Sequence, residues 1–219
     1  MLKGILFAAL LTVAGTAFAG DLSSVGSTGV EAVADYSYAR SINTQQWDAA
    51  HVGLVGLQVN AGGLGSLAVE AGDTQRVGSF RLNYTTFAIG YANGVKLGSL
   101  NLVGSVSYTD MTGDKWFLDN GNNSSLPIST VTGTVEVNAP LVSGVRVFAD
   151  YNHAYMWSGN INSFYKNAAE VTSVNSNAAA VGAYVNLSKS IVGKVGYTRG
   201  FGDVGPNAQG VLVSAAYKF

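Results

Sequence analysis

Between Ser143 and Trp157 the chain reads SGVRVFADYNHAYMW. Val145, Val147, Ala149, Tyr151, Tyr155 and Trp157 fall on one side of this segment, and Arg146, Asp150 and Asn152 on the other. Successive side chains of a β-strand point to opposite faces, so this alternation predicts a strand with one apolar and one polar face. A helix would instead place its apolar residues at every third and fourth position. The same pattern lies just upstream, where Val131, Val135 and Val137 oppose Thr130, Thr132, Thr134 and Glu136. The short join Ala139-Pro140-Leu141-Val142 makes the two a hairpin. Further out, Leu100, Leu102, Val106 and Tyr108 oppose Ser99, Asn101, Ser105, Ser107 and Thr109. Leu67, Val69 and Ala71 oppose Ser66, Glu70 and Thr74, and Val211, Val213, Ala215, Tyr217 and Phe219 oppose Ser214 and Lys218.

Read in this way, the chain predicts ten strands, over 29–41, 48–60, 64–74, 79–92, 97–111, 127–138, 143–157, 177–187, 190–200 and 208–219. The second is apolar on both faces. The fourth changes phase between Tyr84 and Phe87, which predicts a bulge at Thr85-Thr86. Joins alternate in length. Ala61-Gly62-Gly63, Asn93-Gly94-Val95-Lys96, residues 139–142 and Ser188-Lys189 are tight, whereas 112–126 and 158–176 are long and polar. With an even strand count, the short turns share an end with both termini and the long loops lie opposite. That is the plan of a transmembrane barrel. The expected fold class is all-β: an antiparallel up-and-down transmembrane β-barrel of ten strands, with eight and twelve as the neighbouring counts.

Composition separates this reading from a soluble sandwich. Only 11% of the 219 residues are charged, against about 25% in ordinary soluble domains. Mean hydropathy is nevertheless positive, at +0.23. So apolar a chain is not disordered. The absence of cysteine excludes a disulfide scaffold, a thiol enzyme and a Cys-ligated metal. A formal net charge of −1 supplies no basic field for nucleic acid. The polar face consists mostly of Ser, Thr, Asn, Gly and Ala rather than the Lys and Glu of a solvated surface. It suits a narrow lumen, with the apolar face turned to lipid.

The charges expected in that lumen are Glu31, Asp35, Glu70, Arg81, Glu136, Arg146, Asp150, Lys194 and Lys218. Three pairs are in reach: Glu136 with Arg146 across the 139–142 turn, Glu70 with Arg81, and Glu31 with Lys218 where the barrel closes. Outward aromatics near the strand ends predict two interfacial girdles. Tyr36, Tyr38, Tyr108, Tyr155 and Trp157 belong to the loop end, and Tyr91, Tyr217 and Phe219 to the turn end. At the N-terminus Met1-Leu2-Lys3 precedes an apolar run from Gly4 to Phe18 and the small-residue pattern Ala17-Phe18-Ala19. This predicts a cleaved secretory signal over 1–19 and a single barrel domain over 20–219.

The chain ends Val211-Leu-Val-Ser-Ala-Ala-Tyr217-Lys218-Phe219, with a terminal Phe and an aromatic two residues before it. This resembles the C-terminal strand signal of Gram-negative outer-membrane β-barrel proteins, with Tyr217 and Phe219 as the assembly signal. Ser214 stands where that signal usually has glycine. The whole 20–219 segment is similar to the small opacity-type, porin-like members of the class. The resemblance implies an outer-membrane location, contact with outer-membrane lipid and lipopolysaccharide, and assembly by periplasmic chaperones and the barrel-assembly machinery.

Enzymatic readings are weaker. Omptin proteases are also ten-stranded and use acids and a His at the rim to activate water. Here Asp48, His51, Asp110 and His153 approach the rim, but His153 falls on the lipid face. Lipid A deacylases pair a His with a Ser near the lipid-facing wall, and His153-Ala154-Tyr155 lacks that serine. Asp110, Asp114 and Asp119 could offer oxygens to Ca²⁺, but without an EF-hand spacing or a closing glutamate. No enzyme, cofactor or metal is expected. The leading expectation is a small passive pore tuned by the lumen charges. Its alternative is a surface adhesin or receptor, or a structural barrel with a plugged lumen, working through loops 112–126 and 158–176 with Trp116, Phe117, Phe164 and Tyr165 as aromatic anchors.

Overall fold

Each long alternating segment forms a strand in the computed structural model, which describes residues 27–41, 49–77, 82–113, 116–117, 123–124, 128–157, 173–201 and 208–219. The strands are β1 (Thr28–Ser41), β2 (Ala49–Ala61), β3 (Ser66–Val77), β4 (Leu82–Leu97) and β5 (Leu100–Gly113). After them come β6 (Trp116–Phe117), β7 (Asn123–Ser124), β8 (Ile128–Val142), β9 (Val145–Trp157), β10 (Ser173–Asn186), β11 (Ile191–Phe201) and β12 (Ala208–Lys218). β6 and β7 pair only with each other, as a small ribbon set between β5 and β8. The other ten close into an antiparallel barrel in which each strand pairs with its neighbour in sequence and β1 pairs with β12. The shortest barrel strands have 11 residues, enough to cross a bilayer at the usual tilt, which takes about 9–11. Closure leaves none of the ten barrel strands with an unpaired edge, as backbone in hydrocarbon requires.

Side-chain phase assigns the two walls. Val55, Leu57, Val69, Ile89, Val131, Val135, Val195 and Val213 are exposed on the outside. In water such a continuous apolar belt would be an aggregation surface; in a bilayer it is solvated. Alternate residues on the same strands, among them Ser66, Thr74, Ser107, Thr132, Asn152 and Ser214, are buried inside.

Three local expectations are corrected. There is no bulge at Thr85-Thr86: β4 pairs without a break with β3 from Leu82 to Ala92 and with β5 from Tyr84 to Leu97. The strand keeps one phase because Tyr84 faces the lumen, where it is buried, rather than lipid. The 93–96 turn is in fact strand, and the reversal comes at Gly98-Ser99. Gly98 has φ +64 there, the conformation that the first central position of a two-residue hairpin turn demands. The 139–142 join is also strand, irregular between Pro140 and Val142, with the turn at Ser143-Gly144 and Gly144 at φ +76. Proline lacks the donor for a regular ladder, which explains why the irregularity falls beside it.

Gly182 is among the glycines with a packing reason. A Cβ at Gly182 would lie 2.7 Å from Phe148 Cε1 and 2.6 Å from Gly196 Cα, besides meeting the Val195 carbonyl. Gly182→Ala is therefore expected to destabilise the barrel by about 1–3 kcal/mol, measured as a shift in the urea midpoint of the folded protein in lipid vesicles.

Candidate functional site

The lumen contains the chemistry, and its walls position it. On β8, Glu136 points inward with 0% exposure. It accepts hydrogen bonds from Tyr184 Oη (3.0 and 2.8 Å to its two oxygens) and Asn138 Nδ2 (2.8 Å). Lys194, on β11 and 6% exposed, donates to the same carboxylate at 3.3 Å, spanning β9 and β10 to do so. Its ammonium also lies 4.5 Å from the Phe148 ring centre and 5.1 Å from that of Tyr184. A lysine held between a carboxylate and two ring faces combines an ion pair with cation–π attraction.

Arg146 does not pair with Glu136 as expected. It donates through Nε (3.2 Å) and Nη2 (2.6 Å) to Asn138 Oδ1. Asn138 thus stands between the two, accepting from Arg146 and donating to Glu136. Asp150 is opposite Glu136 in the β8–β9 register and accepts from Asn152 Nδ2 at 2.8 Å. Asp35 and Glu70 are buried side by side further round the wall. Glu31 and Lys218 face one another in the β1–β12 register, with Nζ 3.5 Å from Oε1, and Asn60 donates to the same oxygen at 3.0 Å. Arg81, and with it the Glu70–Arg81 pair, lies outside the described residues, as do Asp48, Asp114, Asp119, Phe164, Tyr165 and the 1–19 segment. Trp116 and Phe117 are described only as backbone of the β6–β7 ribbon.

What sequence reasoning missed is apolar. Val103, Phe148, Tyr184, Val192 and Leu212 face inward and form one buried cluster with Ala68, Ala92 and Ala180. β12 lies across the bore from β5, and β10 from β3. The cluster therefore bridges the lumen rather than lining one side. The Phe148 and Tyr184 rings meet at a tilt of 53°, with their centres 5.3 Å apart. Leu54, Met111, Met156 and Tyr84 are buried on the inner wall nearer the loop end. A void of about 10 Å³ beside Asp35, Tyr184, Lys194 and Ser214 has room for about one water molecule. The available signal was Phe148, an aromatic between Arg146 and Asp150 on an otherwise polar face. Beyond the cluster, at the turn end, a cavity of about 440 Å³ is lined by Lys96, Ser99, Asn101, Val103 and Arg146, among others.

The outer wall carries the aromatics. At the loop end Tyr36 Oη lies 2.6 Å from His51 Nδ1, the Tyr38 ring 4.9 Å from that of His51, and Trp157 between Tyr108 (6.2 Å) and Tyr155 (5.8 Å). Tyr151, Tyr197 and Phe201 face outward too, and the latter two were not foreseen. At the turn end Tyr91 donates to the Leu64 carbonyl at 2.8 Å, and Tyr217 meets Phe219 edge to face at 5.3 Å. His153 Nδ1 lies 2.8 Å from Asn177 Oδ1 on the outside, away from the lumen acids. Among the described residues, no group of three or more His, Asp or Glu is placed to hold a metal ion.

No family model matches the sequence, and no curated protein matches it. Solved structures do resemble the fold. The translocator domain of the autotransporter NalP from Neisseria meningitidis superposes with a TM-score of 0.58 at 12% identity, covering 97% of each chain. The β domain of the Bordetella autotransporter BrkA gives 0.54 at 11% identity, over 88% of this chain and 99% of that one. An outer-membrane channel from Pseudomonas putida F1 gives 0.53 at 9% identity, over 91% and 98%. The fold is therefore that of the Gram-negative outer-membrane β-barrels.

Proposed function

We propose that the chain is an outer-membrane barrel with a closed lumen, which acts as a structural barrel or surface receptor through its loop end rather than by conducting solutes. The observation that carries this reading is the cluster bridging the bore, with Phe148, Tyr184 and Leu212 at its centre and Lys194 clasped to Glu136 beside it. Ten strands enclose little more than the eight whose interior side chains fill completely. The outward belt and the two girdles support residence in outer-membrane lipid and lipopolysaccharide. The Tyr217–Phe219 end supports delivery to the barrel-assembly machinery, after removal of residues 1–19. No hydrolase role is proposed: His51 and His153 contact Tyr36 and Asn177 on the outer wall, away from the lumen acids.

In planar lipid bilayers the purified protein is expected to give no channel events, and deletion within 112–126 and 158–176 to abolish binding to cells, phage or matrix while the barrel stays folded. Regular single-channel steps would reject the closed lumen. A passive pore is the second reading, favoured by the 440 Å³ mouth with Lys96 and Arg146 on its wall.

A further inference from the structure

The turn-end cavity has features that neither closure nor the loops require. Lys96 and Arg146 line it, and no Asp or Glu is among its lining residues, in a barrel whose other described lumen charges are mostly acidic. Its size, about 440 Å³, lies in the range of small-molecule sites, about 300–1,000 Å³. Arg146 is held in place from behind: Asn138 takes two of its donors and is itself anchored to Glu136. That leaves the remaining guanidinium N–H groups for the cavity, since the group has five donors. Val103, buried at the inner side, belongs to the cluster that bridges the bore. A cation with an apolar floor on one side is screened less than one on an open surface. Ser99 and Asn101 add neutral hydrogen-bonding groups to the same wall.

We infer that this cavity binds a small organic or phosphate-bearing anion, with Arg146 as the directional contact and Lys96 as a point charge. A guanidinium favours planar oxyanions, to which it can donate two parallel bonds. The site is reached from the turn end, so it accepts solutes on the side of the membrane opposite the long loops. Occupancy does not depend on conduction, and a barrel that passes nothing still binds here.

Isothermal titration of the full chain, folded in detergent micelles, with pyrophosphate and with citrate tests the site. One saturable site per chain is expected, weakening as NaCl is raised. Arg146→Gln is expected to weaken it about tenfold, and Lys96→Gln about threefold, as befits an exposed charge. Lys189→Gln, on the exposed turn before β11, is expected to change nothing. Lys96 is exposed, so Lys96→Gln keeps the test readable if Arg146→Gln fails to fold. Absence of saturable binding, or binding that Lys96→Gln leaves unchanged, or that Lys189→Gln weakens as much as Lys96→Gln does, overturns the inference.

Discussion

Lys194→Met is expected to lower the stability of the barrel by about 3–5 kcal/mol, the usual result of removing one partner from a buried ion pair. The cost arises from what stays behind. Glu136 is fully buried, and Asp35 and Asp150 both lie within electrostatic range of the same ammonium. Without it, that stretch of lumen holds three carboxylates and two aromatic faces. The companion variant makes the argument specific. Glu136→Gln added to Lys194→Met keeps the acceptor for Tyr184 and Asn138 while removing the stranded charge, so the double variant is expected to recover about half or more of the loss. Urea unfolding in vesicles, read by the shift in migration between folded and unfolded forms, measures all three. A double variant as unstable as the single one would show that the pair contributes through packing rather than charge.

Phe148→Ala is the second large effect, and it has two readouts. Truncating a buried aromatic costs about 3–5 kcal/mol where the surroundings cannot collapse. Collapse is restricted here because the ring sits against Gly182 and Gly196, whose backbone is fixed in the β10–β11 ladder. The vacated space lies within the cluster that bridges the bore, beside Leu212 and Tyr184. Water is then expected to enter, and Phe148→Ala combined with Leu212→Ala should give channel events where the parent chain gives none. Phe148→Leu, which retains most of the volume, should stay silent. A folded but non-conducting Phe148→Ala, Leu212→Ala variant would place the seal elsewhere, at Leu54, Met111 and Met156.

Strand number, order and facing were legible because lipid imposes a hard rule on the outer wall. Val131, Val135 and Val137, or Val211 and Val213, leave one phase open to their segments. The lumen obeys a softer rule. An inward position accepts any side chain whose volume and hydrogen bonds can be met across the bore, and those partners come from strands far apart in sequence. Phe148 therefore shows locally only as an aromatic on a polar face, Tyr184 carries no local sign of being part of a seal, and Tyr84 read as a phase change when it was an inward aromatic. The partner of Glu136 was misassigned for the same reason. Arg146 is close along the hairpin, whereas Lys194 is 58 positions away and reaches the carboxylate from β11, past β9 and β10. Turn positions slipped because Asn93 to Lys96 and Ala139 to Val142 contain the glycine and proline of ordinary turns, yet the strands there run on.

The β1–β12 seam sets the order of events in assembly. Every other barrel pairing joins consecutive barrel strands, and several are hairpins closed by two to four residues. The seam joins Glu31 to Lys218, nearly the whole length of the chain. Loop-closure entropy rises only slowly with length, but it must be met before any seam contact is made. The hairpins can therefore form as they arrive, while the cylinder waits for its final strand. Until β12 docks, β1 presents an open template edge, the feature through which strands of different chains join. A truncation of β12 is thus a hazard to neighbouring molecules as well as a loss to its own.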